Sequence, residues 1–569
     1  MRLLRTLPLL LMCALALCAG VRTTQGLVWP PDPDLHRNMS QAQTMVDGDL
    51  WADPYYLDES VWYNPLSPLV VAVLAWTTGL PVPMLYAQAG TYLNLLGPLA
   101  FYAMVGLFFG RGAAVGATFS YLFLADRADP PWARATYTPW LLAQNFAQAF
   151  FYAGLAAYWR AAVSRRRAWF LGTGAILGLA FLGHAAPAIV LGGVVLAECG
   201  RRLLRGDRSA WADHACVLAA ALAVASPLLA SIVGVYGLDV VNPAGNDWVW
   251  AWLDLKHAPR YVLGRLDVTV VVTGLGLALL VRRRRDLPSR LVLSWAALSS
   301  VFVAYGLASQ LAERAGVHLL NVVAVHHFWF YLTAAGAVLW GLGLAEALSW
   351  VARHAALRSP RLERLAAQPR WRAAAVLGLV TAGVIVVAPS YLASNQFVGA
   401  RLAALDEGRS AWRGAALKWI RAHTSPQDVF LAFDELAQGL VGPAGRKTVA
   451  LAPNFASPYV PWEPRARDRR AMFKALWNGD EAGFLALASR YRVTHVARRG
   501  VEGPPLDEAR LPSLTKAFER GPVTIYRVRS EGSRRSGRRS QRRDTVQAVH
   551  DAEGMSGEGV AEGKSGRTQ

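Results

Sequence analysis

Trp29–Pro68 reads WPPDPDLHRNMSQAQTMVDGDLWADPYYLDESVWYNPLSP. Its carboxylates are Asp32, Asp34, Asp47, Asp49, Asp53, Asp58 and Glu59, and its one cation is Arg37. The rest of the chain has the opposite balance: across 569 residues, 59 Lys+Arg stand against 39 Asp+Glu. The acidic stretch follows the apolar run Leu7–Val21 and precedes a long series of further apolar runs. A concentration of carboxylates between such runs marks this loop as the place to look for chemistry.

Only 17% of the residues are charged and 54% are hydrophobic, where a soluble domain carries about 25% charged residues. Apolar segments recur near 66–80, 84–109, 113–125, 140–160, 168–198, 211–235, 262–281, 289–310, 321–346 and 373–393. A bilayer-spanning helix needs ~20 apolar residues, so the chain reads as an all-α multipass membrane domain of about 11 apolar segments. The excess of arginine sits between those segments: Arg165–Arg167, Arg201–Arg208, Arg282–Arg285 and Arg353–Arg372. That is the positive-inside pattern and not a nucleic-acid footprint, so no nucleic-acid partner is expected. Cys13, Cys18, Cys199 and Cys216 lie in or beside apolar runs without metal-ligand spacing, which argues against a disulfide framework or a zinc site.

The arginine clusters set the topology. Arg2 and Arg5 before the apolar run Leu7–Val21 resemble a signal peptide, with Ala19-Gly20 as a cleavage site; because the later topology works with the N-terminus inside, the run is expected instead to stay as an uncleaved first helix, so that residues 22–64 form an external loop. The segment 168–198 begins and ends at inside-type clusters. It is therefore predicted to be a hairpin of two short helices, broken around Gly183-His184-Ala185-Ala186-Pro187. Three apolar segments between the acidic loop and the external loop 126–139 give the wrong parity, so one of them is predicted to be re-entrant, or 84–125 to be irregular. From about 394 the pattern changes to helix 412–424, strands at 429–433, 448–451, 493–497 and 523–528, and helices 467–477 and 481–490. This describes a membrane domain over 1–393 and a small extracytoplasmic α/β domain over 394–529. The Ser/Gly/Arg-rich tail 530–569 is predicted to be disordered.

Four outward features converge. Asp34-Leu35-His36-Arg37 puts a carboxylate, an imidazole and a guanidinium together; on a helix Asp34 and Arg37 share a face. The plainer account is a helix start capped by Asp34 beside a surface ion pair. Asp53-Pro54-Tyr55-Tyr56 and Trp62-Tyr63 follow, with aromatics suited to a membrane interface. Asp126 and Asp129 fall on the second external loop and with Asp34 could hold a hard divalent cation. Lys256, His257, Arg260, Arg314, His326 and His327 are cations on the outer side, where a lipid phosphate would explain them. Asn38-Met39-Ser40 matches a glycosylation acceptor pattern, which matters only in a compartment that glycosylates.

This arrangement resembles the C-type glycosyltransferases, multipass enzymes that use polyprenyl-phosphate-linked sugars. Within them it is most similar to oligosaccharyltransferase catalytic subunits: an early Asp near a basic residue, here Asp34 with His36 and Arg37; then Asp53-Pro54-Tyr55; then Pro65-Leu66 opening the next helix. Ala416–Pro426, at the start of the external domain, is also similar. The chain departs from those subunits in having Phe430-Leu431-Ala432-Phe433-Asp434 where they carry Trp-Trp-Asp. The resemblance therefore implies transfer of a sugar to a glycan, lipid or other acceptor more than protein N-glycosylation. It implies Asp34 as catalytic base and Arg314, His326 and His327 as donor-phosphate ligands. His36, Arg37, Asp53 and Tyr55 would act in acceptor binding or in shaping the loop. It implies an Mg²⁺ or Mn²⁺ site at Asp34, Asp126 and Asp129, although some members work without a metal. It further implies residence in the plasma or inner membrane with the C-terminal domain outside. A transporter or flippase of lipid-linked precursors, with His184 and Pro187 in a broken helix, and a non-catalytic envelope protein of the same fold are the competing accounts.

Overall fold

The computed structural model describes residues 2–124, 136–242, 268–317, 319, 323, 326–358, 368–394, 397–409 and 411–529. Among the described residues, six helical runs are long and apolar enough to cross a membrane: Thr6–Thr24, Val82–Phe109 (a succession of short helices), Ser209–Val235, Leu287–Arg314, His326–His354 and Ala374–Leu392. Leu66–Thr78, Arg167–Gly183 and Thr269–Arg282 are shorter apolar helices. Many of their large side chains face outward, including Val271, Val301, Ile385 and Val386. Such a surface is stable only against lipid, so this is a membrane protein.

We number the first helices α1 (Arg2–Thr24), α2 (Pro33–Val46), α3 (Leu66–Thr78), α4 (Val82–Gln88), α5 (Gly90–Leu93), α6 (Leu96–Phe109), α7 (Arg111–Phe119), α8 (Ala143–Ser164), α9 (Arg167–Gly183), α10 (Ala185–Leu204) and α11 (Ser209–Leu229). The irregularity expected over 84–125 is present. The run 82–109 is three short helices in succession, and α7 loosens into a wide turn at Ser120–Leu124. The 13-residue α3 is too short for an ordinary span. Gly90 explains one of the interruptions. A Cβ there would lie 2.4 Å from the backbone of both Pro139 and Leu141, so only glycine admits that close approach.

The expected hairpin is present. α9 and α10 meet at His184, whose backbone is extended. The far ends of the pair come together at Arg165, which lies 3.1 Å from Asp207. Arg202 reaches Asp207 at 2.9 Å and Asp213 at 2.7 Å, and Arg290 reaches Glu198 at 2.8 Å. Arginines from several helices thus gather at one end of the bundle. At the other end of α9, the Asn64 side-chain amide donates to the Phe181 carbonyl at 2.5 Å. The acidic loop and the arginine clusters therefore occupy opposite ends of α9.

The C-terminal sheet is five-stranded, in the order β2-β1-β3-β5-β4. β1 is Val429–Leu431, β2 Lys447–Thr448, β3 Val493–Arg499, β4 Leu514–Arg520 and β5 Val523–Val528. β1 pairs in parallel with β2 and β3, and β5 antiparallel with β3 and β4. Val429 and Leu431 face the helices Trp462–Asn478 and Glu481–Arg490 through Met472, Phe473 and Phe484. Phe430 faces the other way, toward Ile420 of the helix Ala411–His423 and toward Tyr55 and Tyr56. The acidic loop thus helps to cover one face of this sheet. Tyr55 and Tyr56 do not anchor at a membrane interface, as their type suggests; they are buried core residues of the α/β domain. Strand β4 is absent from the sequence reading, because its edge position leaves Lys516, Glu519 and Arg520 solvated and blurs the alternation. The tail 530–569 lies outside the described residues.

Candidate active site on a buried polar helix

α2 carries the site, and its start is set by Asp32 and Pro33. The Asp32 carboxylate accepts from the Asp34 backbone N–H at 2.8 Å, and Pro33 occupies the first turn. The cap is Asp32 and not Asp34, as the plainer account has it, so the Asp34 carboxylate is left to act elsewhere. Loss of water around Asp32, with Asp34 beside it, pushes its carboxyl up to about 6.

With 3.6 residues per turn, α2 sorts its side chains onto three faces. Leu35, Met39 and Ala42 form the apolar face, packed with Val71 of α3, Val82, Leu85 and Tyr86 of α4, and Phe146 of α8. A second face meets the α/β domain. There the Ser40 hydroxyl donates to the Tyr55 hydroxyl at 3.2 Å, and Asp47 just beyond the helix accepts from Arg446 at 3.1 Å. The third face is the polar stripe Asp34, Arg37, Asn38 and Gln41. Arg37, Asn38 and Gln41 are buried, while the Asp34 side chain is 47% exposed. The stripe is therefore open at the Asp34 end.

Arg37 lies 3.4 Å from Asp34 and its guanidinium sits 3.6 Å from the centre of the Tyr63 ring. Such a buried cation over a desolvated aromatic face is worth roughly 2 kcal/mol and fixes the side chain under the carboxylate. From Tyr63 the chain runs directly to Asn64 and its contact with Phe181, close in sequence to His184. The His184 ring lies tilted against that of His327, centre to centre 4.4 Å, and the His327 ring centre lies 4.0 Å from that of His326. In the sequence His184 stands far from His326-His327; the fold brings the three together at the acidic-loop end of the bundle. Arg314 ends the helix Leu287–Arg314 and is exposed. His184 is also the main support for a transporter. The helix break it makes is the tip of the α9–α10 hairpin, and its Nδ1 accepts from the Ala186 N–H at 3.2 Å as a helix cap.

His36 lies on the domain side of α2. Its Nε2 is 2.9 Å from the Trp29 indole N–H, which can only donate, so that nitrogen is the acceptor and the ring is neutral. Burial, reinforced by the Arg413 cation, lowers its pKa to about 4. A depressed pKa contributes stability above the unfolded value near 6.5 and loses it as pH falls toward the folded value. Two and a half units correspond to at most roughly 3 kcal/mol. We predict that thermal stability falls between about pH 6.5 and 4 and that His36→Gln flattens this slope. An unchanged slope in the variant would show that other groups carry the acid sensitivity.

Asp53 turns inward. One carboxylate oxygen accepts from the Tyr55 and Tyr56 N–H groups, both at 2.7 Å, and the Lys447 ammonium donates to the Asp53 carbonyl. Burial raises the Asp53 carboxyl pKa, against the pull of those N–H groups and of Lys447. The Tyr55 carbonyl accepts from Thr448 of β2 at 2.7 Å, so this segment is laid along the sheet. Asp58 pairs with Arg492, and Glu59 accepts from the Tyr236 hydroxyl at 3.3 Å. Phe433-Asp434 stands at the end of β1, where Arg469 holds Asp434 at 2.5 Å.

Asp126, Asp129, Lys256, His257 and Arg260 lie outside the described residues. Among the described residues no three His, Cys, Asp or Glu side chains are grouped to hold a metal ion. They supply one of the three expected ligands, Asp34, and place Arg37 against it. No step below is routed through a cation.

No family model and no curated protein sequence matches the chain. Solved structures do. ArnT from Cupriavidus metallidurans bound to undecaprenyl phosphate is similar over 92% of this chain and 98% of its own, at 16% identity and a TM-score of 0.52. The apo form of the same protein gives 17% identity, 91% and 97% coverage and a TM-score of 0.51. The Archaeoglobus fulgidus oligosaccharyltransferase tethered to an acceptor peptide matches at 14% identity, over 86% of this chain and 69% of that one, with a TM-score of 0.47. At these identities the likeness to ArnT establishes the fold alone: this chain has the fold of that protein.

Proposed function

We propose that the chain transfers a sugar from a polyprenyl-phosphate-linked donor to a glycan, lipid or protein acceptor. The observation that carries this reading is the placement of Asp34. It is a half-exposed carboxylate held by a buried arginine on a helix clamped between a membrane body and an α/β domain, in the fold of a protein seen with undecaprenyl phosphate. Membrane lipids and the lipid-linked donor are the partners this reading implies.

In this reading Asp34 accepts the proton of the acceptor hydroxyl as that oxygen attacks the anomeric carbon. The bond from that carbon to the phosphate oxygen breaks, and the electron pair leaves with the lipid phosphate. The cluster of His184, His326 and His327, with Arg314 one connection away in the chain, is suited to stabilise the departing phosphate. Arg37 orients the Asp34 carboxylate. Asp53, Tyr55 and His36 shape the loop by tying it to the α/β domain. The positive-inside bias puts the arginine end of the bundle in the cytoplasm, and with it the acidic loop and the α/β domain on the outer face of the plasma or inner membrane.

The test is donor class. Purified protein in lipid nanodiscs is given radiolabelled sugar on polyprenyl phosphate or on a nucleotide, together with envelope extract as acceptor. Consumption of the lipid-linked donor alone, with release of free polyprenyl phosphate, is the expected result. Use of the nucleotide sugar, or no consumption of either, would remove the reading.

A further inference from the structure

The polar stripe of α2 continues past the groups that the proposed reaction uses. Asn38 and Gln41 are each only 1% exposed, and the Asn38 Oδ1 and Gln41 Oε1 atoms have no hydrogen-bond partner among the described residues, nor has the Arg37 Nε. The Gln41 amide is oriented by its other end, whose N–H donates to the Tyr63 carbonyl at 3.5 Å. Its oxygen is therefore the free end. A buried polar atom left unpaired costs about 1–3 kcal/mol, so three on one face of one helix call for an explanation. Their chemistry narrows it. Two amide oxygens require a ligand with hydrogens to give, and a phosphodiester has none. A guanidinium N–H requires an oxygen acceptor. A polyhydroxylated ring satisfies all three, since each hydroxyl both donates and accepts.

Resting on the glycosyl-transfer reading above, we propose that Asn38 and Gln41 determine sugar specificity by reading hydroxyl groups of the transferred sugar. The two amides lie one turn and two turns along α2 from Asp34, so a sugar whose reacting carbon is near Asp34 would extend along the stripe toward them. Arg37 lies between Asp34 and the two amides along the helix, and its Nε is left to donate to a ring hydroxyl beside its contact with Asp34. Access is from the exposed Asp34 end, and Tyr63, whose ring lies 3.6 Å from the Arg37 guanidinium, borders the stripe. A site built to bond a hydroxyl discriminates strongly against the analogue that lacks it, because its own buried groups are then left unpaired.

The test compares the preferred polyprenyl-phosphate sugar with its monodeoxy analogues. In the wild-type protein at least one monodeoxy donor is expected to lose about ten- to a hundredfold in kcat/KM. In Asn38→Ala and Gln41→Ala the parent donor falls by a similar factor while that analogue is little changed, so the discrimination collapses. Equal losses for every donor in the variants would show a structural role only and overturn the proposal. Near-equal use of all monodeoxy donors by the wild type would overturn it without any variant, should the variants fail to fold. Neither result would touch the glycosyl-transfer reading. If the wild type consumes no lipid-linked sugar at all, the two fall together.

Discussion

Asp34→Asn is expected to lower sugar transfer by about a thousandfold, within the range that positioned general bases contribute, while leaving the protein folded. The two halves of this expectation have separate origins. Asparagine has the shape of aspartate but cannot take the acceptor proton. The bond that starts α2 uses the Asp34 backbone N–H and the Asp32 carboxylate, both unchanged. The substitution weakens the 3.4 Å ion pair with Arg37. One partner there is half exposed, so the cost in stability stays within roughly 1 kcal/mol, and Tyr63 still holds the arginine. Transfer assays on the variant, with thermal unfolding as control, check both halves. Wild-type activity in Asp34→Asn would end its assignment as the base.

Arg446→Met is expected to do the reverse, costing roughly 3–5 kcal/mol of stability. Arg446 is 4% exposed. It donates to the Thr424 hydroxyl at 2.8 Å and carbonyl at 2.7 Å, to the Ala444 carbonyl at 3.0 Å and to Asp47 at 3.1 Å. Methionine keeps the stem's packing and removes every one of these bonds, leaving the Asp47 carboxylate with the Gln43 amide at 2.9 Å and a longer 3.5 Å ion pair to Arg421. Because Asp47 follows α2 directly, the substitution undocks the acidic loop from the α/β domain. Protease protection of residues 47–60 and the unfolding midpoint should fall together. Arg446→Lys is expected to recover little, since one ammonium cannot reach the same set of acceptors. A variant as stable as the wild type would mean that the loop is held elsewhere.

Much of the architecture is legible in the residues because a bilayer imposes a coarse rule on composition. Arginine clusters and apolar length are enough to anticipate the α9–α10 hairpin and the irregular run before Leu124. Strands β1, β3 and β5 show as apolar runs because both sheet faces are covered. β4 does not, since its outer side faces water. At the site, the pairing of Asp34 with Arg37 follows from helical spacing, and the rest of the stripe, Asn38 and Gln41, obeys the same spacing. Charge draws attention to the acidic residues and away from two neutral amides. The roles of Tyr55 and Tyr56 cannot be read locally, because the surface that buries them belongs to strands far along the chain. The meeting of His184 with His326 and His327 is likewise a product of helix packing that no local pattern encodes.

The most direct test of the account follows polyprenyl phosphate itself. Protein in nanodiscs is mixed with a polyprenyl-phosphate-linked sugar and acceptor extract, and the lipid products are measured by mass spectrometry. The account predicts that free polyprenyl phosphate accumulates with the wild type and not with Asp34→Asn, although the variant still binds the donor. Release at the same rate in both proteins, or none in either, would contradict it.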